Sequence, residues 1–400
     1  MPKKTILPII VIILLALAVT IFIYRYNILR YSADAIIRSL LPSYVRVDKI
    51  DFDARSSRVT LYGFKILNPR AFRYEYLLEI GSIVCEYRLK GKTILEGFEV
   101  MSPVFKDAVL DVERRSDGKI NLVQMPEVIE SARDASQGAS KEKDRVRPKK
   151  ESDVKIYNIL RLPKTYQVKN GKVLFIDGLH FRKAYEITLE NIDASMTLIL
   201  DETYTKVMSS SSQGEGLLNG RRGEVVKWNV GLNPNTPKLT MSNRLEIYDA
   251  DILTFEPYYD RFSPFVFKTG KFSGTLVFDF NNGSIGSMNE IRLSDFRFYV
   301  KPGYENAQYF QTSVQDLAKY FTSPFGEIVF DFKIKGDMDN PEFLLGPLSK
   351  KAISSMVIDK ITSAIGNVSG SEQASASSGS SDLDKAKEYI ELFQKIVNKK

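Results

Sequence analysis

Gly270-Lys-Phe-Ser-Gly-Thr-Leu-Val-Phe-Asp-Phe280 and Glu327-Ile-Val-Phe-Asp-Phe-Lys-Ile-Lys335 are the two stretches that decide the fold. In the first, Phe272, Gly274, Leu276, Phe278 and Phe280 fall on one side, and Lys271, Ser273, Thr275 and Asp279 on the other. In the second, Ile328, Phe330, Phe332 and Ile334 oppose Glu327, Asp331, Lys333 and Lys335. A period of two with one apolar and one polar side is the pattern of a strand whose sheet has one face shielded and one face in water. A helix would scatter these residues around its axis.

The same alternation recurs on either side. Val45–Val47, Ile50–Phe52, Arg58–Ile66, Ile80–Tyr87, Ile94–Val100 and Ala108–Glu113 form an earlier series. Asp117-Gly118 is placed as a hairpin turn between Leu110–Val112 and Ile120–Leu122. A second block opens near Tyr166, with Tyr185, Ile187 and Leu189 and then Ile192, Ala194, Met196, Leu198 and Leu200 alternating. Met208 to Gly223 reads as a soft, serine-rich interruption, and Thr312 to Phe321 as a short helix. The chain is therefore expected to be mainly β.

Its ends differ. Ile6 to Tyr24 is apolar throughout, and at about 1.5 Å per residue it makes a helix of roughly 28 Å, close to the hydrocarbon thickness of a bilayer. Lys3 and Lys4 precede it, and Ala16-Leu17-Ala18 has the form of a cleavage site. The run continues past Ala18 through Phe22 to Tyr24, which favours a retained anchor, with Ile6, Leu14 and Tyr24 in the membrane. If the lysines stay in the cytoplasm, the body lies on the trans side, in a bacterium the periplasm. At the other end, Leu383, Ala386, Ile390, Phe393 and Val397 make an amphipathic stripe among lysines. Leu383, Ile390, Phe393 and Val397 are candidates for contact with a membrane or a partner. The expected divisions are an anchor at 1–30, a β block at 31–130, a charged linker at 131–155, a second β block at 156–348, a helix at 349–366, a Ser/Gly linker at 367–381 and the amphipathic helix at 382–400.

Composition narrows the chemistry. Cys85 and His180 are the single cysteine and histidine, so Cys/His metal clusters, Cys-His pairs and an intrachain disulfide are excluded by inventory. Gly91-Lys92-Thr93 ends like a phosphate loop, but Glu86 stands where the first glycine belongs. Asp337-Met-Asp339-Asn340 lacks calcium-loop spacing. Much of the net charge of +7 lies in 141–150, where Lys141, Lys143, Arg145, Arg147, Lys149 and Lys150 crowd together without the interleaved aromatics of a nucleic-acid groove. No catalytic constellation, metal site or cofactor is expected, and no nucleic-acid partner.

Several phrases resemble the AsmA-like superfamily, and within it the family catalogued as domain of unknown function 748. They are Lys169-Asn-Gly-Lys-Val-Leu-Phe-Ile-Asp177 with Leu189-Glu-Asn-Ile-Asp193, then Leu253-Thr-Phe-Glu-Pro257 leading into Gly270–Gly274. Phe332-Lys-Ile-Lys-Gly-Asp-Met-Asp-Asn-Pro341 and Arg115-Ser-Asp-Gly-Lys-Ile-Asn-Leu122 complete the set. The resemblance implies a single-pass inner-membrane protein with a periplasmic body. Its antiparallel sheet would be curled and elongated, its groove apolar, and its role lipid transport or outer-membrane biogenesis. Membrane lipid, a phospholipid above all, and an envelope protein are then the expected partners. Phe272, Leu276, Phe278, Ile328, Phe330, Phe332 and Ile334 are candidate groove residues. A sandwich-like closed core serving a structural scaffold is the competing expectation.

Overall fold

The computed structural model describes residues 41–369 apart from 54, 90–97, 126–159, 162, 180–183, 202–206, 261–262, 307, 310–311, 314–315 and 317–325, together with residue 391. The fold is mainly β, and the chain divides into two compact units, Met1–Val207 and Met208–Lys400. The anchor residues Ile6, Leu14 and Tyr24, His180, the charged linker at 131–155, and Leu383, Ile390, Phe393 and Val397 lie outside the described residues. Among the described residues no helix is long and apolar enough to cross a membrane.

The first unit carries β1 (Val45–Asp53), β2 (Arg58–Leu67), β3 (Tyr76–Leu89), β4 (Phe98–Arg114), β5 (Leu160–Arg161), β6 (Thr165–Asp177) and β7 (Tyr185–Leu200). Their order in the sheet is β1-β2-β3-β4-β6-β7, with β5 beside β4. The expected antiparallel sheet needs correction here, because β4 and β6 pair in parallel over Val104↔Gln167 to Arg114↔Asp177. The sheet is mixed. A parallel pair needs a crossover connection of a dozen residues or more, and the chain between Arg114 and Thr165 is long enough to supply one. Strands on both sides of 131–155 thus share one sheet.

Asp117-Gly118 does turn the chain, with Gly118 at φ +82° and its N–H donating to the Arg115 carbonyl. The return is a single bridge, Arg114↔Ile120, and residues 121–125 are helical rather than a strand. Asn121 explains this. It is fully buried, its Nδ2 donates to the Asp111 carbonyl and its Oδ1 accepts the Glu113 N–H, so a side chain replaces the ladder that a paired strand would have made.

A row of left-handed residues crosses this sheet. Gly63 (φ +61°) lies opposite Gly81, Gly81 opposite Asp107 (φ +54°), and the Asn170 side chain (φ +55°) donates to Asp107 Oδ1 at 2.6 Å. Asn191 (φ +52°) continues the row where the β6–β7 register shifts. Asn and Asp tolerate this conformation better than other side chains. Irregularities of this kind bend a strand and raise its twist, and here they coincide at one level of neighbouring strands.

The second unit carries β8 (Val207–Leu218), β9 (Val225–Asn233), β10 (Thr240–Asp251), β11 (Phe265–Asn281), β12 (Ser284–Val300), β15 (Ile328–Asp337) and β16 (Asn340–Leu345), in that order and antiparallel throughout. The sheet does not close. A separate pair, β13 (Gln308–Tyr309) with β14 (Thr312–Ser313), occupies the start of the expected 312–321 helix; Asp316 is helical and its N–H donates to Ser313 Oγ. The serine-rich stretch from Met208 is strand β8 rather than an interruption. Ser210, Ser212, Gly214 and Gly216 pair with Leu232, Val230, Trp228 and Val226, where small residues leave room for the larger neighbours.

Two helical pieces pack on this sheet. A 3-10 turn (Ile252–Phe255) runs into α1 (Glu256–Tyr259), which sets Phe255 against Phe272 and Tyr259 against Phe267, both with ring centroids 5.5 Å apart. The helix expected at 349–366 is present as α2 (Pro347–Ser369). Its buried Ile353 and Met356, with Leu344 of β16, form the core beside β15.

Candidate functional site

The registers place the seven groove candidates on one face. Phe272, Leu276 and Phe278 of β11 pair with Leu293, Asn289 and Ser287 of β12. Leu293, Ile291 and Asn289 pair in turn with Ile328, Phe330 and Phe332 of β15, and the Ile334 N–H donates to Ser287 Oγ at 2.7 Å. Following the ladder outward adds residues that the two quoted strands did not reveal. These are Val226, Trp228, Val230 and Leu232 of β9, Met241, Leu245 and Ile247 of β10, and Phe343 and Leu345 of β16. Alternation in 226–232 is legible in the sequence, but which face it joins depends on register.

From Ser210 to Leu345 this ladder face holds no charged side chain. Its polar members are Ser210, Ser212, Asn243, Ser287 and Asn289. The opposite face collects the charges: Glu215, Lys227, Arg244, Glu246, Asp279, Glu290, Arg292, Asp331, Lys333, Lys335 and Glu342. There they pair across and along strands, Lys227 with Glu215 at 3.2 Å, Arg244 with Glu246 at 2.7 Å and Arg292 with Glu290 at 2.7 Å. The Tyr248 hydroxyl donates to Glu246, and this bond, with Arg244 beside it, holds the carboxyl below the usual range.

The uncharged face is neither core nor surface in the ordinary sense. All seven candidates are half-buried, Phe343 is 58% exposed and Leu232 37% exposed. Each side chain is shielded by its neighbours along and across the strands, and Phe255 of the 3-10 turn lies over Phe272 at the end of the row. The aromatic rings touch: Phe330 lies 5.9 Å from Phe332, and Phe332 stacks on Phe343 at 4.8 Å with planes 15° apart. At the hairpin end, Ser209–Ser210, Gly231–Asn233, Thr240–Ser242 and Asp279–Phe280 line an open hollow of about 360 Å³.

Two polar features are built in. Asn289 is 1% exposed; its Oδ1 accepts the Val277 N–H at 2.9 Å and its Nδ2 donates to Ser287 Oγ. Ser287 Oγ also accepts the Ile334 N–H. These bonds keep the polar atoms inside the sheet, so the face stays apolar to anything lying on it. Trp228 Nε1 donates to Ser212 Oγ at 3.3 Å, which fixes the indole in the same way.

The placement of β15 and β16 rests on the start of α2. Asp331 points away from the apolar face, and its carboxylate accepts the N–H groups of Leu348 (3.1 Å) and Ser349 (2.7 Å) in the first turn. Ser349 Oγ donates to the Asp331 carbonyl and accepts the Asp331 N–H, each at 2.8 Å. A carboxylate at a helix N-terminus meets both free N–H groups and the positive end of the dipole. No family model matches the chain, and no curated protein does.

Proposed function

We propose that this chain is a non-catalytic, membrane-anchored envelope protein whose second unit holds the acyl chains of membrane lipid, phospholipid above all, against the uncharged face of its sheet. The segregation of every charge in the β8–β16 ladder onto one face carries the reading. A face that only covered a water-soluble surface would tolerate lysines and glutamates. A face that only filled a closed core would be buried. Apolar binding surfaces combine concavity with few polar groups, and burying about 300 Å² of acyl surface would contribute roughly 7 kcal/mol at about 25 cal/mol per Å².

The finer geometry belongs to the same proposal. The left-handed residues Asp249 and Asp295, each at φ +50°, sit where the β10–β11 and β11–β12 registers shift. Bulges there would curl the sheet, making the apolar side the concave one. The apolar run Ile6–Tyr24 would tether the body to the inner membrane from the periplasmic side, within reach of lipid. Outer-membrane biogenesis is the wider role that this placement suits.

The test is site-specific photocrosslinking of the full-length protein in cells, followed by lipid extraction of the adducts. Photoreactive residues at Phe278 and Phe330 are expected to capture lipid, and the same residues at Lys227 and Glu290, on the charged face, to capture little. Equal labelling from both faces, or none from either, would overturn the reading. The scaffold alternative rests on edge strand β16 with its exposed Phe343, and protein adducts at Phe343 without lipid adducts at Phe278 would favour it.

A further inference from the structure

The first unit contains a buried polar cluster that the apolar face does not use. Asp111 and Glu113 are two residues apart on β4, hence on one face, and are 4% and 9% exposed. Their neighbours on β6 are Leu174 and Ile176, and Glu186 of β7 pairs with Ile176. Three carboxylates thus gather on a largely apolar surface. Arg73 answers part of this charge: its guanidinium pairs with Glu186 at 2.6 Å and its N–H donates to Glu113 Oε2 at 2.7 Å. Asn68 Nδ2 donates to Asp111 Oδ2 at 3.2 Å and to the Tyr74 carbonyl at 3.1 Å.

What this network leaves over is oxygen. Asp111 Oδ1 and Asn68 Oδ1 are both out of solvent, and neither has a hydrogen-bond partner among the described residues. A buried carboxylate oxygen without a donor costs of the order of 1–3 kcal/mol or more, so native structures seldom leave one. Two such acceptors, on residues joined by the Asn68–Asp111 hydrogen bond and with a second carboxylate two residues along, call for a proton or a metal cation. All the atoms offered are oxygens, the donor set of a hard ion.

We propose that Asp111 Oδ1 and Asn68 Oδ1, with Glu113 beside them, form a divalent-cation site of the calcium class that ties the 68–75 loop to β4. Calcium suits it better than magnesium, because carboxamide and carboxylate oxygens on separate elements supply an irregular cage with room for water ligands. Among the described residues no three His, Cys, Asp or Glu side chains group around a metal; here a carboxamide from a residue 43 positions away completes the set. This departs from the sequence expectation of no metal. It is independent of the reading of the apolar face.

The experiment is hydrogen exchange of the detergent-solubilised full-length protein after chelation, with and without 5 mM CaCl₂ and at matched ionic strength in KCl. Calcium is expected to slow exchange in peptides covering 68–75 and 98–125 by about tenfold or more, with KCl without effect. Asp111→Asn is expected to abolish that response while keeping the chelated protein at least as protected as wild type at pH 7.5, which shows that the variant folds. Absence of a calcium response in the wild type, or the same response in Asp111→Asn, would overturn the proposal. Should Asp111→Asn fail to fold, Asn68→Ala serves in its place, with the same two outcomes.

Discussion

Replacing Asp331 by alanine should release α2 from the sheet. The side chain is 8% exposed and its two oxygens accept the Leu348 and Ser349 N–H groups at 3.1 and 2.7 Å. A hydrogen bond to a charged group contributes about 1.5–3 kcal/mol, and a buried N–H left without an acceptor adds to the loss. Two bonds at the lower figure come to about 3 kcal/mol, before the charge–dipole contribution of a few tenths to about 1 kcal/mol. Since about 1.4 kcal/mol is tenfold in an equilibrium constant, local opening of α2 should become roughly 150-fold more frequent. Hydrogen exchange of peptides within 347–369 measures this directly, with peptides of β1 to β3 as an internal control. Exchange in α2 within threefold of wild type would refute the claim that this carboxylate holds the helix. Asp331→Asn sharpens the test: it keeps the volume but turns an NH₂ toward one of the two donors, so it should lose most of the same protection.

Three further outcomes are expected. Gly63 sits at φ +61°, and a Cβ at this position would lie only 2.0 Å from Asp48 Oδ2, so Gly63→Ala should cost about 2 kcal/mol or more in denaturant melts. Part of that cost should vanish in an Asp48→Ala background, and an unchanged cost there would remove the clash argument. Cys85, pushed up to about 11 by burial, should react with a thiol reagent at pH 8 roughly 100-fold more slowly than in the urea-unfolded chain, gaining about tenfold per pH unit. In chelator, Asp111 makes the protein lose stability as pH rises. Its carboxyl titrates near 6 when folded against an ordinary 3.8, so the native state keeps the proton longer. Its stabilising share is complete below about 4 and gone above about 6. About two pH units correspond to roughly 3 kcal/mol, so Asp111→Asn should be more stable than wild type by about that much at pH 7.5 and equal to it at pH 4 in urea melts.

The sequence alone determined that this chain is mainly β and which residues of each strand share a side. Alternation at Phe272–Phe280 and Ile328–Ile334 is a local property, imposed by the pleat, and it needs no knowledge of partners. A helix at 349–366 was legible for the same reason, from its own spacing, and the structure extends it to Pro347–Ser369. Pairing was not legible. That β4 meets β6 in parallel, that β8 is a strand despite its serines, and that Phe330 and Phe278 lie in one ladder through Ser287, Asn289 and Ile291 all depend on strand register, which is fixed by contacts far apart in sequence. The polar clusters were hidden for the same reason. Asn68 and Asp111 are 43 residues apart, and Asp331 finds Ser349 only when a helix N-terminus is brought to a strand. Period-two patterning says that an apolar face exists; only the tertiary structure decides what lies across from it, and here Phe255 and Tyr259 lie against its Phe272 and Phe267.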